Sequence, residues 1–195
     1  MLSGLQEEMH LPIYIGSRSA LEMLGAAHNL PQAARPQIYV LTNKKLRVPN
    51  WIKNNDWGAD FVFRQSSLIR GGQELMGYVI RGFQIKMSVR EQAILELIED
   101  LDLTISFESA ENYLSSLMTL RPNVMQRLLE DCASLKVKRI FLYLSEKLEM
   151  PFFSKLNIET IDLGSGKRVV VKGGRYDKKY QITVPPDQGS GENGF

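Results

Sequence analysis

The segment from residue 162 to 185, DLGSGKRVVVKGGRYDKKYQITVP, is the part of the sequence with the most evident chemical potential, since it holds six lysines and arginines and four glycines. Its GSGK string invites comparison with a Walker A loop, in which a lysine and the following hydroxyl hold phosphate and magnesium. The comparison fails because Ile161 stands where the first glycine should be, Arg168 follows the lysine, and a strand is expected where that loop needs a helix. The pattern therefore predicts glycine turns with cations at exposed strand ends.

The six cations of this segment form a candidate surface for nucleic acid or for a protein partner. Gly173 and Gly174 would turn the chain and leave basic side chains around Tyr176 and Tyr180, a mixture that contacts phosphates and stacks on bases. Exposed strand edges also carry such charges to discourage aggregation, so a solvated edge is the competing interpretation, and the one we favour. The candidate residues are Lys167, Arg168, Lys172, Arg175, Lys178 and Lys179.

Catalytic and metal chemistry lack a comparable signal. The two histidines, His10 and His28, are far apart, and no HExxH or CxxC spacing is present. Cys132 lies in an apolar-periodic run, where we expect a buried thiol rather than a nucleophile. Adjacent carboxylates such as Glu99 and Asp100 point apart on a helix. We predict no catalytic set, no metal site and no cofactor.

Charge is balanced over the 195 residues but unevenly distributed along them. Residues 88–120 carry one basic and seven acidic side chains, whereas residues 121–186 carry thirteen basic and seven acidic ones. The two blocks either attract each other inside the fold, which we favour, or leave a basic face for an anionic partner. No run is long and apolar enough for a membrane span, and the lone cysteine fits a reducing compartment, so we expect a cytoplasmic protein.

Residues 1–87 read as a small strand-and-helix unit. Strands are predicted at 12–16, 38–43, 59–66 and 77–87, and a helix is predicted from Ser17 after the first strand.

Residues 88–150 read as a cluster of four helices. The first has Ser88 as its N-cap with Glu91 as the capping-box partner, the second is capped by Ser106, the third has Pro122 in its first turn, and the fourth begins near Val137.

Residues 151–186 return to strands joined by glycine turns, predicted at 157–164, 168–174 and 180–185, and residues 187–195 are expected to form a disordered tail. The sequence thus predicts an α/β or α+β fold in one domain over residues 1–186.

Several of these segments together resemble one family. Three segments are similar to AbiEi-type antitoxins of bacterial type IV toxin–antitoxin systems. They are the helix SVREQAILELIEDL, the upstream LPIYIGSRSALEMLGAAHNL, and the long run from Leu117 to Pro185 that contains VKRIFLYLSEK, IDLGSGKR and DKKYQITVP. The resemblance covers about residues 10–186. It implies a non-enzymatic antitoxin of an abortive-infection, phage-defence system, whose partner is an AbiEii-type nucleotidyltransferase toxin, without a stable complex being required.

The resemblance also implies an N-terminal winged helix-turn-helix domain that represses the operon. Residues 1–9 resemble only the end of a helix that would join such a domain to the rest of the chain. The alternative function is a nucleic-acid-binding transcriptional regulator that contacts DNA or RNA through the basic C-terminal face. Arg90, the lone cation of the acidic block, is expected to form an internal salt bridge with Glu91, Glu96 or a neighbouring helix.

Overall fold

The computed structural model of the chain describes residues 1–26, 35–101 and 103–186, so the expected tail at 187–195 and His28 lie outside the described residues. The regular structure of this described part consists mainly of two β-sheets, a larger mixed one and a smaller antiparallel one, and seven α-helices. The strands of the larger sheet are β1 (Tyr14–Ile15), β2 (Gln37–Thr42), β3 (Asp60–Gln65), β4 (Leu75–Ile80) and β5 (Phe83–Ser88). The smaller sheet pairs β6 (Arg175–Asp177) with β7 (Ile182–Val184).

Seven helices surround and extend the larger sheet within the described residues. They are α1 (Leu2–Glu7), α2 (Ser17–Met23), α3 (Asn50–Asn54), α4 (Arg90–Glu99), α5 (Phe107–Ser115), α6 (Pro122–Asp131) and α7 (Leu135–Lys147). Short 3₁₀ turns follow at Phe153–Lys155 and Ile158–Thr160. The predicted mixed α/β class is confirmed. None of the described helices combines the length and apolarity needed to cross a membrane.

The larger sheet is mixed, with strand order β3-β2-β1-β5-β4. β2 and β3 run parallel, as do β1 and β5, while β1 runs antiparallel to β2. The prediction of one strand over 77–87 is wrong: β4 and β5 form an antiparallel hairpin. Arg81 and Gly82 make its two-residue turn, with φ of 48° and 81°. Two positive φ values are typical of the turn that matches the twist of a hairpin.

Helix α4 forms the centre of the main core. It packs against α2, α5, α6 and α7, and its apolar residues Ala93, Ile94, Leu97 and Ile98 are all buried. Around it, one continuous cluster of buried apolar side chains draws members from residues 1–87, 88–150 and 151–186. The three sequence regions therefore all contribute to this main core.

A second, smaller core contains Leu5, Ile13, Val40 and Ile52 and joins α1 and α3 to the sheet. Gln6 on α1 is buried, and its side-chain amide donates to the carbonyls of Ile13 and Lys86 and accepts from the Lys86 backbone N–H. The first residues of the chain are thus helical, as expected, and the helix is bonded directly to the sheet.

The predicted helix starts have mixed outcomes. The Ser106 hydroxyl accepts a 3.1 Å hydrogen bond from the Ser109 N–H, and Pro122 is the first residue of α6, so both predictions are confirmed. The Ser88 cap is wrong, because Ser88 ends β5 and Val89 precedes the helix without a side-chain cap. The Ser88 hydroxyl instead donates to the carboxylate of Glu96, the side chain of a residue nearly two turns into α4.

The strands predicted at 157–164 and 168–174 are wrong. The first segment contains the 3₁₀ turn at Ile158–Thr160. The Thr160 hydroxyl donates a hydrogen bond to the Glu130 carboxylate, which stabilises this turn. The second segment is irregular and contacts β7 through isolated hydrogen bonds, such as the one that the Val171 N–H donates to the carbonyl of Thr183. Gly173, with φ of 75°, then turns the chain into β6, a strand the sequence pattern did not reveal.

Candidate partner-binding surface

The candidate cations lie around the β6–β7 sheet and the glycine turns that precede it, and we call this set the C-terminal basic surface. All of them are exposed: Lys167, Arg168, Lys172, Arg175, Lys178 and Lys179. The backbone beneath them is held by β7, since Arg168 N–H donates to Gln181 and Thr183 N–H donates back to Arg168. The structure thus brings all six predicted residues to one small subdomain.

Lys179 and Lys167 each have a defined side-chain contact. The Lys179 ammonium pairs with the Glu146 carboxylate and lowers the pKa of Glu146 below its ordinary value. The Lys167 ammonium lies 5.0 Å from the centre of the Tyr176 ring, a cation–π distance. Tyr176 is exposed, but Tyr180 is buried with its hydroxyl donating to Glu146. Only Tyr176 of the two predicted tyrosines can therefore stack on a ligand.

Two further cations support the surface from below. Lys138 and Arg139 on α7 are 3% and 2% exposed, which is rare for such residues. The Lys138 ammonium donates to the carbonyl of Asp162 at 2.9 Å. The Arg139 guanidinium donates to the carbonyls of Leu163 at 2.8 Å and Gly166 at 2.6 Å. The GSGK loop thus turns carbonyl oxygens towards buried cations, a polarity unsuited to holding phosphate.

Sequence reasoning missed the role of these two residues. They stand next to each other in the apolar run of α7, where Val137 and residues 140–144 are also buried. Two adjacent cations in a helix that is buried on every side indicate that each has an internal partner. The reason is that burying a charge without a partner is costly.

The two charge blocks are joined by ion pairs. The Arg121 guanidinium donates to both Glu91 carboxylate oxygens, at 3.0 and 2.9 Å, and Lys147 pairs with Glu111 at 2.6 Å. These contacts agree with internal attraction between the blocks. Within the described residues, however, Lys167, Arg168, Lys172 and Lys178 have no ion pair, so part of the basic block faces solvent unneutralised.

The salt bridge predicted for Arg90 is not the contact observed. Its guanidinium donates to the backbone carbonyl of Leu24, the residue after α2, at 2.9 Å. A cation at the end of a helix bonds carbonyls that lack an intrahelical partner. Glu91 is bonded to Arg121 instead, and Glu96 faces a set of neutral donors.

A buried polar network surrounds Glu96 on α4. Its carboxylate accepts hydrogen bonds from the Ser17 N–H, the Tyr14 hydroxyl, the Ser88 hydroxyl and the Gln92 amide, at 2.7 to 3.1 Å. Burial raises the pKa of Glu96 above its ordinary value, against the effect of these donors. Burial, followed by the charge of Glu96, also raises the pKa of Tyr14. The donors outside α4 come from β1, α2 and β5, so the carboxylate ties these three elements to α4.

Two potential nucleophiles, Ser17 and Cys132, are both buried in structural surroundings. Ser17 has a strained φ of 51°, but its hydroxyl donates to Asp100, which is also paired with Arg64. Cys132 is buried, as predicted, and burial raises the pKa of its thiol to about 11. No group of three or more potential metal ligands assembles in residues 1–26, 35–101 and 103–186.

These features define an α/β protein with an exposed cationic subdomain and, over the described residues, no assembled catalytic or metal centre. Comparison with known families gives a match over residues 35–185 to the family described as "Transcriptional regulator, AbiEi antitoxin, Type IV TA system". The chain belongs to this AbiEi antitoxin family, as its resemblance implied. No curated protein matches the chain.

The fold is shared with a solved structure, that of the RV2827C protein from Mycobacterium tuberculosis. The two superpose with a TM-score of 0.58 at 12% sequence identity, over 92% of this chain and 64% of the other. The chain therefore spans just under two thirds of the length of that protein. At this identity the likeness concerns the fold alone.

Proposed function

We propose that this chain is a non-enzymatic antitoxin that counteracts a nucleotidyltransferase toxin. The observation that carries the proposal is the family match over residues 35–185, which includes the whole C-terminal basic surface. The continuous core across residues 1–87, 88–150 and 151–186 supports one antitoxin domain spanning residues 1–186.

The C-terminal basic surface is the proposed contact for the partner. Lys167, Arg168, Lys172 and Lys178 are exposed and lack an ion pair with any described residue, so their charge is available to an anionic surface. The partner is either the toxin itself or a nucleic-acid target on which the toxin acts. The backbone bonds of Arg168 to β7 fix the surface before binding, which lowers the ordering cost of association.

Growth rescue in cells that express the toxin tests this proposal. The chain is co-expressed with a nucleotidyltransferase toxin of the AbiEii type, and the wild type is expected to restore growth. Reversal of the four unpaired cations to glutamate should abolish rescue, because each contact then becomes repulsive.

A matched control reverses three exposed cations elsewhere in the fold. Arg70, Lys86 and Lys155 are exposed and have no ion pair with a described residue, so the triple glutamate variant should rescue as well as wild type. Full toxicity in the presence of folded wild-type chain would refute the antitoxin role. Rescue by the four-residue variant would leave that role intact and refute the surface assignment.

The second candidate function is transcriptional regulation through DNA binding at the same surface, which the family description favours. Each phosphate contact with duplex DNA steepens the log–log salt dependence of binding by about 0.9. Titration of the operon's promoter DNA against the wild type and the four-residue variant measures that slope. A promoter-reporter assay then reads repression directly, and salt-independent binding would exclude this role.

A further inference from the structure

The edge strand β4 leaves half of its backbone polar groups unbonded within the described part of the chain. The Val89 N–H donates to the carbonyl of Glu74, so the backbone of Glu74 is directed towards β5. Because this direction alternates along an antiparallel pair, every second residue from Glu74 to Ile80 is bonded towards β5. The strand residues between them turn their N–H and C=O groups away from β5, and they are Leu75, Gly77 and Val79. No hydrogen bond joins the backbone of these three to any other described residue.

Nothing in the composition of β4 protects this edge. The strand has the sequence LMGYVI, without a charged residue or a proline, and the Val79, Ile80 and Met76 residues are 69%, 44% and 37% exposed. Edge strands are ordinarily kept from pairing by charged residues, by proline or by a bulge. The opposite edge strand, β3, does carry charges, at Asp60 and Arg64. β4 is therefore the edge of the larger sheet that can accept a further strand.

The charges that flank β4 favour an antiparallel copy of the same strand. Glu74 precedes the strand, and Arg81 follows it in the exposed turn. An antiparallel second copy places Glu74 of one chain beside Arg81 of the other at both ends, whereas a parallel copy would place like charges together. Of the two Glu74 carboxylate oxygens, Oε1 accepts from Arg127 at 2.8 Å. Oε2 has no hydrogen bond with a described residue, so it can accept from Arg81 of the second chain.

One register satisfies every free backbone group of both strands. Opposite residues of an antiparallel pair point to the same face of the sheet, so a two-fold axis must pass through a residue rather than between two. With the axis through Gly77, Leu75 opposes Val79 of the other chain and Gly77 opposes itself. Each of these pairs exchanges two N–H···O bonds. The side chains that meet are apolar, Leu75 with Val79 and Met76 with Tyr78, and Gly77 has no side chain to clash with its own copy.

We propose that the chain forms a symmetric dimer in which β4 pairs antiparallel with β4 of a second copy. The two five-stranded sheets then become one continuous sheet, with Gly77 at the two-fold axis. Both chains use the same strand edge, so the contact closes on itself and does not grow into a filament. A strand from another protein could bond to this edge, but the symmetric spacing about Gly77 and the opposite charges at the two ends match β4 to itself. The dimer contact contains no residue of the C-terminal basic surface and goes beyond the antitoxin role.

Analytical ultracentrifugation of the purified chain tests for this dimer. The average mass should rise from the 22.2 kDa of one chain towards twice that value as the concentration increases from about 1 to about 100 µM. A mass that stays at one chain over this range would overturn the proposal.

Two variants at Val79 test whether the strand edge makes the contact. The Val79 N–H points away from β5, so V79P leaves the bonds of the hairpin intact and removes one donor of the interface from each chain. V79P should weaken dimerisation by at least about tenfold. The matched control V79T keeps the N–H and the branched side chain, and it should change dimerisation by no more than about twofold. Circular dichroism checks that both variants are folded, and an unchanged dimer in folded V79P would overturn the proposal.

Cysteine cross-linking tests the register without relying on the proline variant. Across the proposed axis the two Gly77 Cα atoms lie about 5.5 Å apart, within the span of a disulfide, whereas the two Val79 Cα atoms lie about 14 Å apart. An added Cβ at Gly77 would meet only the amide end of the exposed Gln84 side chain, which can move aside. On mild oxidation G77C should therefore give a covalent dimer on a non-reducing gel. V79C should not, and the wild type should not because Cys132 is buried.

The cross-linking has two outcomes that contradict the proposed register. V79C might link as efficiently as G77C, or G77C might fail to link while the wild type is dimeric, and either result would overturn the pairing about Gly77. The measurements use no toxin and no nucleic acid, so the dimer and the antitoxin role are tested separately: loss of growth rescue would leave the dimer intact, and a monomeric chain would leave the antitoxin role intact.

Discussion

The buried guanidinium of Arg139 donates a 2.6 Å hydrogen bond to the carbonyl oxygen of Gly166, and through it α7 holds the glycine turn that carries the C-terminal basic surface. The same guanidinium also donates to the carbonyl of Leu163 and, over a longer 3.4 Å, to the carbonyl of Gln181. These two bonds reach the two flanks of that turn. A single side chain on the central helices therefore links the core to the proposed contact surface.

Replacing Arg139 with methionine should destabilise the protein by about 3 kcal/mol, because it removes the buried guanidinium that donates to the carbonyls of Leu163 and Gly166. The matched control is R127M: Arg127 pairs with Glu74 but its side chain is 57% exposed, so its loss should cost less than about 1 kcal/mol. Urea unfolding followed by tryptophan fluorescence measures both. Equal losses for the two variants would contradict the central role of Arg139.

The two glycines of the GSGK turn should differ in their tolerance of alanine. Gly164 has φ of 60°, and an added Cβ would lie 2.5 Å from Leu135 Cδ1, whereas Gly166 has φ of 83° and open space around it. We expect G166A to cost about 1 kcal/mol from backbone strain, and G164A to cost about twice as much from strain plus the clash. Thermal unfolding of both variants tests the ranking, and a larger effect at Gly166 would contradict it.

The Glu91–Arg121 pair should contribute a pH-dependent part of the stability. Burial alone would raise the pKa of Glu91, but hydrogen bonds from the side chain and the backbone of Arg121 more than offset this and lower it. Since the folded pKa lies below the unfolded one, the stabilisation is present above pH of about 4.3 and is lost as pH falls through the folded value.

Replacement of Arg121 with methionine should therefore destabilise the protein by about 2 kcal/mol at neutral pH, since it leaves a buried carboxylate without its charged donor. The difference from wild type should shrink as pH falls below about 4.3 and through the lowered folded pKa of Glu91, because Glu91 then becomes protonated in both proteins. Urea unfolding over a series of pH values measures this, with R127M again as control. A difference that stays constant with pH would mean that Arg121 acts through packing alone.

The thiol of Cys132 should be almost inert in the folded protein. It is 2% exposed, and burial raises its pKa to about 11, so little thiolate exists at pH 8. We expect reaction with Ellman's reagent to be on the order of a hundredfold slower than in the unfolded chain. Addition of urea should restore the full rate. Rapid reaction without denaturant would show that α6 opens easily at its C-terminal end.

Features that depend on a few neighbouring residues were predictable from the sequence. Pro122 begins α6 because its fixed φ and missing N–H suit the first helical turn. Ser106 caps α5 because its hydroxyl reaches an N–H three residues later. The glycine turns at 164, 166 and 173 followed equally from the tolerance of glycine for positive φ.

Other predictions were wrong where distant partners outcompeted local ones. Ser88 and Glu91 have the spacing of a capping box, yet the first bonds Glu96 and the second bonds Arg121 thirty residues away. The β4–β5 hairpin was hidden because Arg81, a non-glycine residue, adopts positive φ at its turn. The segment at 168–174 has the amino-acid composition of a strand, but the turn at Gly173 limits its pairing with β7 to isolated hydrogen bonds.

The sequence by itself determined the α/β class, the family, the buried thiol and the presence of six cations among glycine turns near the C-terminus. Only the tertiary structure decided that Lys179 is paired with Glu146 and that Lys138 and Arg139 bind the turn from within. The reason is physical. Periodicity and turn chemistry act over a few residues, whereas the partner of a charged or aromatic side chain is set by which distant elements the core brings together.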